Sequence, residues 1–176
     1  SESMNYEAAA LNYTDITMDL LRTRGILLKQ VAADVIDFAR KHTLCKGVRY
    51  KPVLIGQNIP FDVGFLQQMM AYAGLQKEFA QVFAGTTDFY GNFQPHYLDT
   101  IDLARLCLAA DPQVTSYKLE LVAERLGIEL DDAHDADADV TATREVAALC
   151  SRRLRQNGDT DISQQRTPKM RNHFKI

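Results

Sequence analysis

The sequence predicts an α/β layer fold, and three observations carry that expectation. Apolar residues recur at helical spacing through several stretches. Short unbroken apolar runs lie between those stretches, with glycine or proline at the joins. Strand and helix signals alternate along the chain, which implies a sheet covered by helices. At 176 residues the chain has the size of one ordinary domain and buries a sizeable core.

Taken in order, Leu28, Val31, Ala32, Val35, Ile36, Phe38 and Ala39 fall on one helical face and predict an amphipathic helix over 28–41. Pro52 to Gly56 is continuously apolar and closed by glycine, which predicts a strand buried on both faces. A helix follows over 60–73, stopped by Gly74, and another over 77–83. Residues 84–94 read as a long loop. Its aromatics, Phe89, Tyr90 and Phe93 together with the adjoining Phe83, either stack on nucleobases or pack locally. Tyr97 to Asp99 predicts a second short strand, leading into a helix over 100–109. Ser116 is a candidate cap for a helix over 117–126 that Gly127 ends. The last helix begins near Asp135 or Ala136 and runs to about Leu154, with Val140, Thr143, Val146, Ala147 and Cys150 on its inner face. Residues 1–155 form the expected domain, and 156–176 a flexible basic tail.

Charge is uneven. The segment from Arg152 onward carries +5, leaving −8 for the rest of a chain whose net charge is −3. An acidic body does not suit a sequence-reading nucleic-acid binder, which carries a broad basic face. It does suit a body that gathers carboxylates for a cation, with the tail or a partner attracting phosphate. Cys45, Cys107 and Cys150 have no paired spacing and read as small core residues of a reducing compartment. No apolar run reaches the roughly 20 residues of a membrane span, and the start of the chain does not resemble a signal peptide. The expectation is a cytoplasmic protein with no membrane partner.

Two segments carry the chemistry. Asn58-Ile59-Pro60-Phe61-Asp62 follows the apolar run, and turns after strand ends are where α/β folds place ligands. Pro60 suits a first helical turn, and a carboxylate at position 62 faces the positive end of the helix dipole. Taken alone, Asp62 also reads as a helix-stabilising acid and Asn58 as a cap. The second segment, Ala133 to Asp139, sets His134 just before a helix and Asp139 about one turn inside it. A carboxylate on an inner helix is costly unless paired or metal-bound. Hard cations such as Mg²⁺ need only a few carboxylates plus substrate phosphate. An imidazole beside them suits a general base near neutral pH. A lone histidine before a helix also reads as a capping or surface residue.

In order and spacing, His134-x-Ala136-x-x-Asp139 and Asn58-x-x-Phe61-Asp62 resemble the third and second motifs of the DEDDh 3′–5′ exonucleases, which include the proofreading subunit of bacterial DNA polymerase III. Asp99-Thr100-Ile101-Asp102-Leu103-Ala104-Arg105 is similar to the family's DT-x-x-LAR segment. So are Tyr117-Lys118-Leu119 with Leu126-Gly127-Ile128 to the stretch before its last motif, and Tyr13 to Thr17 to its "GIT" turn, with Asp15 for glycine. The resemblance covers roughly residues 5–153. It implies a ribonuclease-H-like fold with a mixed sheet flanked by helices. It further implies hydrolysis at the 3′ end of single-stranded DNA or RNA, releasing nucleoside monophosphates. Two Mg²⁺ or Mn²⁺ ions about 4 Å apart would serve that reaction. Asp62 and Asp139 would be metal ligands, His134 the general base, and Asn58 and Phe61 the residues that position the terminal nucleotide.

One departure stands out. The family's first motif, Asp-x-Glu on the first strand, has no counterpart here, because only 13 residues precede the Thr14–Thr17 turn. The expectation is a fragment of a longer protein, lacking N-terminal strands, whose sheet edge and apolar surface await completion. The alternative is a non-catalytic module that keeps the fold and binds nucleic acid or a polymerase. Thr167 to Phe174 faintly resembles a sliding-clamp-binding peptide without its usual glutamine.

Overall fold

The computed structural model describes residues 16–45, 47–130 and 136–156. The chain divides into two compact units between Asp99 and Thr100.

In the first unit, Thr17 opens helix α1 (Met18–Arg24), its hydroxyl accepting from the Leu20 backbone N–H at 3.1 Å. This short helix has no counterpart among the sequence expectations. Helix α2 (Leu28–His42) forms as its 3.6-residue pattern requires and buries Ala32, Ile36 and Ala39. Val31 and Phe38 were expected on the same inner face, yet Phe38 is 67 % exposed and Val31 lies at the exposed margin. The buried stripe follows i, i+4, i+7, and both residues fall beside it.

A 3₁₀ turn (Val48–Tyr50) precedes strand β1 (Leu54–Gly56). Helices α3 (Ile59–Ala73) and α4 (Gln76–Val82) follow, and α3 ends on Gly74 at φ 69°, a left-handed cap that glycine adopts without strain. Strands β2 (Gly85–Thr87) and β3 (Phe93–Pro95) pair antiparallel, Gly85 opposite Pro95. The expected long loop over 84–94 is therefore a hairpin. Strand β4 (Tyr97–Asp99) pairs parallel with β1, Leu54 opposite Tyr97 and Gly56 opposite Asp99. The expectation that β1 is buried on both faces does not hold, because Ile55 is 51 % exposed. Among the described residues the β1–β4 sheet has two strands, and α3 packs against it. The core of this unit joins Ala32, Ile36 and Ala39 to Met70, Ala73, Phe79 and Phe83.

The second unit holds α5 (Thr100–Cys107), α6 (Leu119–Leu126) and α7 (Ala136–Gln156). Helix α6 begins later than expected. Lys118, not Ser116, holds the cap position, although the Ser116 hydroxyl still accepts from the Lys118 N–H at 3.4 Å. Gly127 ends α6 in the left-handed region at φ 72°. Ala104, Val122, Leu126, Ala142, Val146 and Cys150 form its core. Val140 was expected on the inner face of α7 and is 69 % exposed. The buried spacing of Ala142, Val146 and Cys150 rotates it outward. Arg125 grips Asp111 through two hydrogen bonds, Nε to Oδ2 at 2.6 Å and Nη2 to Oδ1 at 2.9 Å. That guanidinium holds the Asp111 carboxyl below the usual carboxylate range.

The three cysteines do not share one environment, as expected of core residues. Cys150 is fully buried and Cys107 half-buried, whereas Cys45 is exposed. Burial, with the neighbouring Cys107 thiol, pushes the Cys150 thiol up to about 12. The basic tail from residue 157 onward lies outside the described residues. No described helix is long and apolar enough to cross a membrane.

Candidate active site

The turn between β1 and α3 is built by local sterics. Gly56 closes β1 with no room for a side chain, since a Cβ there would sit 2.5 Å from Ile59 Cδ1. Asn58 then takes the left-handed conformation, φ 52° and ψ 39°, which asparagine tolerates better than most residues. It is the only non-glycine residue with positive φ among those described. Its carbonyl accepts from the Phe61 N–H at 3.1 Å, which starts the helix. Pro60 occupies the first turn, where a missing N–H costs nothing.

A third contact fixes this turn from outside. Asp99, at the end of β4, accepts the Asn58 backbone N–H on Oδ1 at 3.1 Å. Parallel pairing sets Asp99 opposite Gly56, so the two strand ends meet where the turn begins. The sequence marked Asp99 as part of a similar segment and gave it no role. The contact spans 41 positions and leaves no local pattern.

Asn58, Phe61 and Asp62 are thus brought together on one turn. Phe61 is 64 % exposed and meets Phe65 edge to face, ring centroids 4.9 Å apart. Asp62 is exposed in the first turn of α3. It borders an apolar hollow of about 600 Å³ that Leu28, Leu54, Ile59, Val63 and Tyr72 help to line. An acid at the mouth of a mostly apolar cavity is the usual layout of a ligand site.

In the second unit, Asp139 lies half-buried in the first turn of α7. The core stripe of Ala142, Val146 and Cys150 sets the rotation that leaves it at the boundary between core and solvent. His134 lies outside the described residues. The carboxylates of Asp62 and Asp139 are oxygen donors of the kind a hard divalent cation takes. Among the described residues, however, no group of three or more His, Cys, Asp or Glu side chains could hold an ion.

Comparison with known proteins identifies the family. A family model described as "Exonuclease" (RNase T) matches residues 7–147. The DNA polymerase III PolC-type of Clostridium perfringens is 29 % identical over 107 residues, which is 61 % of this chain and 6 % of that protein. The PolC-type polymerase of Lacticaseibacillus paracasei is 24 % identical over 130 residues, 74 % of this chain and 8 % of that protein. The chain spans less than a tenth of the length of these relatives. The family match takes in both the Asn58–Asp62 turn and the His134–Asp139 segment, and on it the chain belongs to the exonuclease family, with the ribonuclease-H-like α/β fold of that family.

Proposed function

We propose that this chain is the nuclease domain of a 3′–5′ exonuclease of the DEDDh type, acting on the 3′ end of single-stranded DNA or RNA. The family match across residues 7–147 carries the proposal, because it contains both chemistry-bearing segments. The ordered turn that groups Asn58, Phe61 and Asp62 at a strand end supports it.

On this reading Asp62 and Asp139 would hold Mg²⁺ or Mn²⁺. Such ions, when bound, neutralise phosphate charge and activate the attacking water. His134 would act as the general base that takes the proton of the attacking water. Phe61 offers a ring face to the terminal base. The left-handed backbone of Asn58, held by Asp99, would fix where the 3′-terminal nucleotide sits. Attack on the terminal phosphodiester releases a nucleoside monophosphate. The likeness to PolC-type polymerases supports association with a DNA polymerase; a sliding clamp as a further partner and a cytoplasmic location belong to the same proposal.

A second reading is a non-catalytic nucleic-acid- or polymerase-binding module that keeps the fold of the family.

One experiment separates the two. The longest natural form of the protein is incubated with 3′-labelled DNA and RNA strands in Mg²⁺, Mn²⁺ or chelator, beside its Asp139→Asn and His134→Ala variants. Cation-dependent release of labelled mononucleotide, abolished by Asp139→Asn and severely slowed by His134→Ala, is the expected result. Binding without hydrolysis under every cation would establish the module instead.

A further inference from the structure

The β2–β3 hairpin ends in two aromatic rings that the core does not use. Phe89 is 96 % exposed and Tyr90 85 %, yet they stand edge to face with centroids 5.4 Å apart. Leaving two large rings in water is unfavourable, and their display is not a product of slackness in the loop. Asp88 ties the tip together, accepting the backbone N–H groups of Tyr90 at 2.9 Å and Asn92 at 2.8 Å on Oδ1. Its second oxygen accepts from the Asn92 and Gln94 amides. The base of the hairpin is fixed as well. Gln67 of α3 donates to the Phe93 carbonyl at 2.8 Å, and Phe93 meets buried Phe79 edge to face. The rings are held out by a rigid support.

Beside this tip lies a groove of about 740 Å³ whose character is unlike that of the Asp62 hollow. Side-chain amides dominate its polar lining, with exposed Gln68 and Gln76 joined by Asn92 and Gln94. Lys77 is the one charged residue among those lining it. Gln68 lines both the groove and the hollow that Asp62 borders, so the two adjoin at that residue of α3. Amides match the donor and acceptor edges of nucleobases, and flat rings match their faces.

We propose that the β2–β3 hairpin is a stacking platform for unpaired bases upstream of the 3′ end, with the amide groove leading the strand along α3 toward Asp62. This rests on the nuclease reading for the direction of the strand, though not for its binding. Because Lys77 is the lone cation in the groove, binding here depends on stacking more than on phosphate charge and should weaken little with salt.

The chain contains no tryptophan, so Phe89→Trp supplies a single fluorophore at the tip. In chelator, where no hydrolysis proceeds, oligothymidylate should quench its emission saturably, and an abasic phosphodiester strand of the same length should not. The Phe89→Ser/Tyr90→Ser double variant, altered only at exposed positions, should keep its circular dichroism and bind oligothymidylate at least about tenfold more weakly. Unquenched emission, equal quenching by the abasic strand, or unchanged affinity of the double variant would overturn the proposal. Emission that follows protein concentration and ignores oligothymidylate would make the tip a self-association surface and overturn it too. Hydrolysis without quenching would sink the platform alone; quenching with no hydrolysis by the longest natural form under any cation would sink the nuclease reading alone.

Discussion

Asp99 and Asn58 lie 41 positions apart, and one hydrogen bond of 3.1 Å between the carboxylate of the first and the backbone N–H of the second anchors the turn that carries Asp62. A charged acceptor on a backbone donor is among the stronger hydrogen bonds in proteins. Asp99→Ala should loosen the turn and lower nuclease activity about tenfold, the loss expected from a misplacement of about 1 Å or less. Asp99→Asn keeps an acceptor oxygen and should retain most of the rate. Equal rates for Asp99→Ala and the parent in the labelled-strand assay would show that the bond does not position the site.

Gly56 is required by space. Gly56→Ala places a methyl group against Ile59 and should destabilise the chain by about 1–3 kcal/mol, the range for overpacking. The additional substitution Ile59→Val removes the δ carbon that clashes and should recover part of that loss. Thermal unfolding of the two variants and the parent measures both effects.

Asp111 gives the second unit an acid-sensitive pair. Arg125 lowers its carboxyl in the folded chain, so the pair's contribution is complete above the unfolded carboxylate value, about 4. It fades as pH drops through the lower folded value. The melting temperature of Asp111→Asn should therefore lie below that of the parent at neutral pH, and the gap should close toward acid pH. A gap independent of pH would mean that the ion pair contributes nothing.

The thiols should react in a fixed order. Cys45 is exposed and should be modified at once by a disulfide reagent in the native chain. Cys150 is fully buried with its thiol raised to about 12 and should react only on unfolding. Mass spectrometry of peptides after brief and prolonged labelling reads the order directly.

How far the sequence could be read depended on whether each element leaves a periodic trace. Helices α2, α3 and α7 run 15 or more residues, and α3 also carries its glycine stop, so their extents were legible. The hairpin was not. Its strands are three residues each, too short to show alternation, and Pro95 argues against a strand. Asp88 and Gly91 at turn spacing were the signal available. Helix α1 left only Thr17 as a cap signal. At the site, the Asn58–Asp62 turn was legible because proline, a left-handed asparagine and an acid each have local causes. The Asp99 contact was not, because strand pairing creates it. Exposure was the least legible property. Ile55, Phe38, Val140 and Cys45 all look like interior residues in sequence and lie in solvent, because burial depends on what packs opposite.

Helix α3 runs without a break from the acid at its first turn, past Gln68, to the cap at Gly74. Six positions of α-helix separate Asp62 from Gln68, about 9 Å along the axis. A straight helix is stiff, so that interval is a built-in ruler. If the proposed nuclease and stacking readings both hold, degradation should slow once a strand becomes too short to span it, leaving an oligonucleotide of fixed length at the end of each digest.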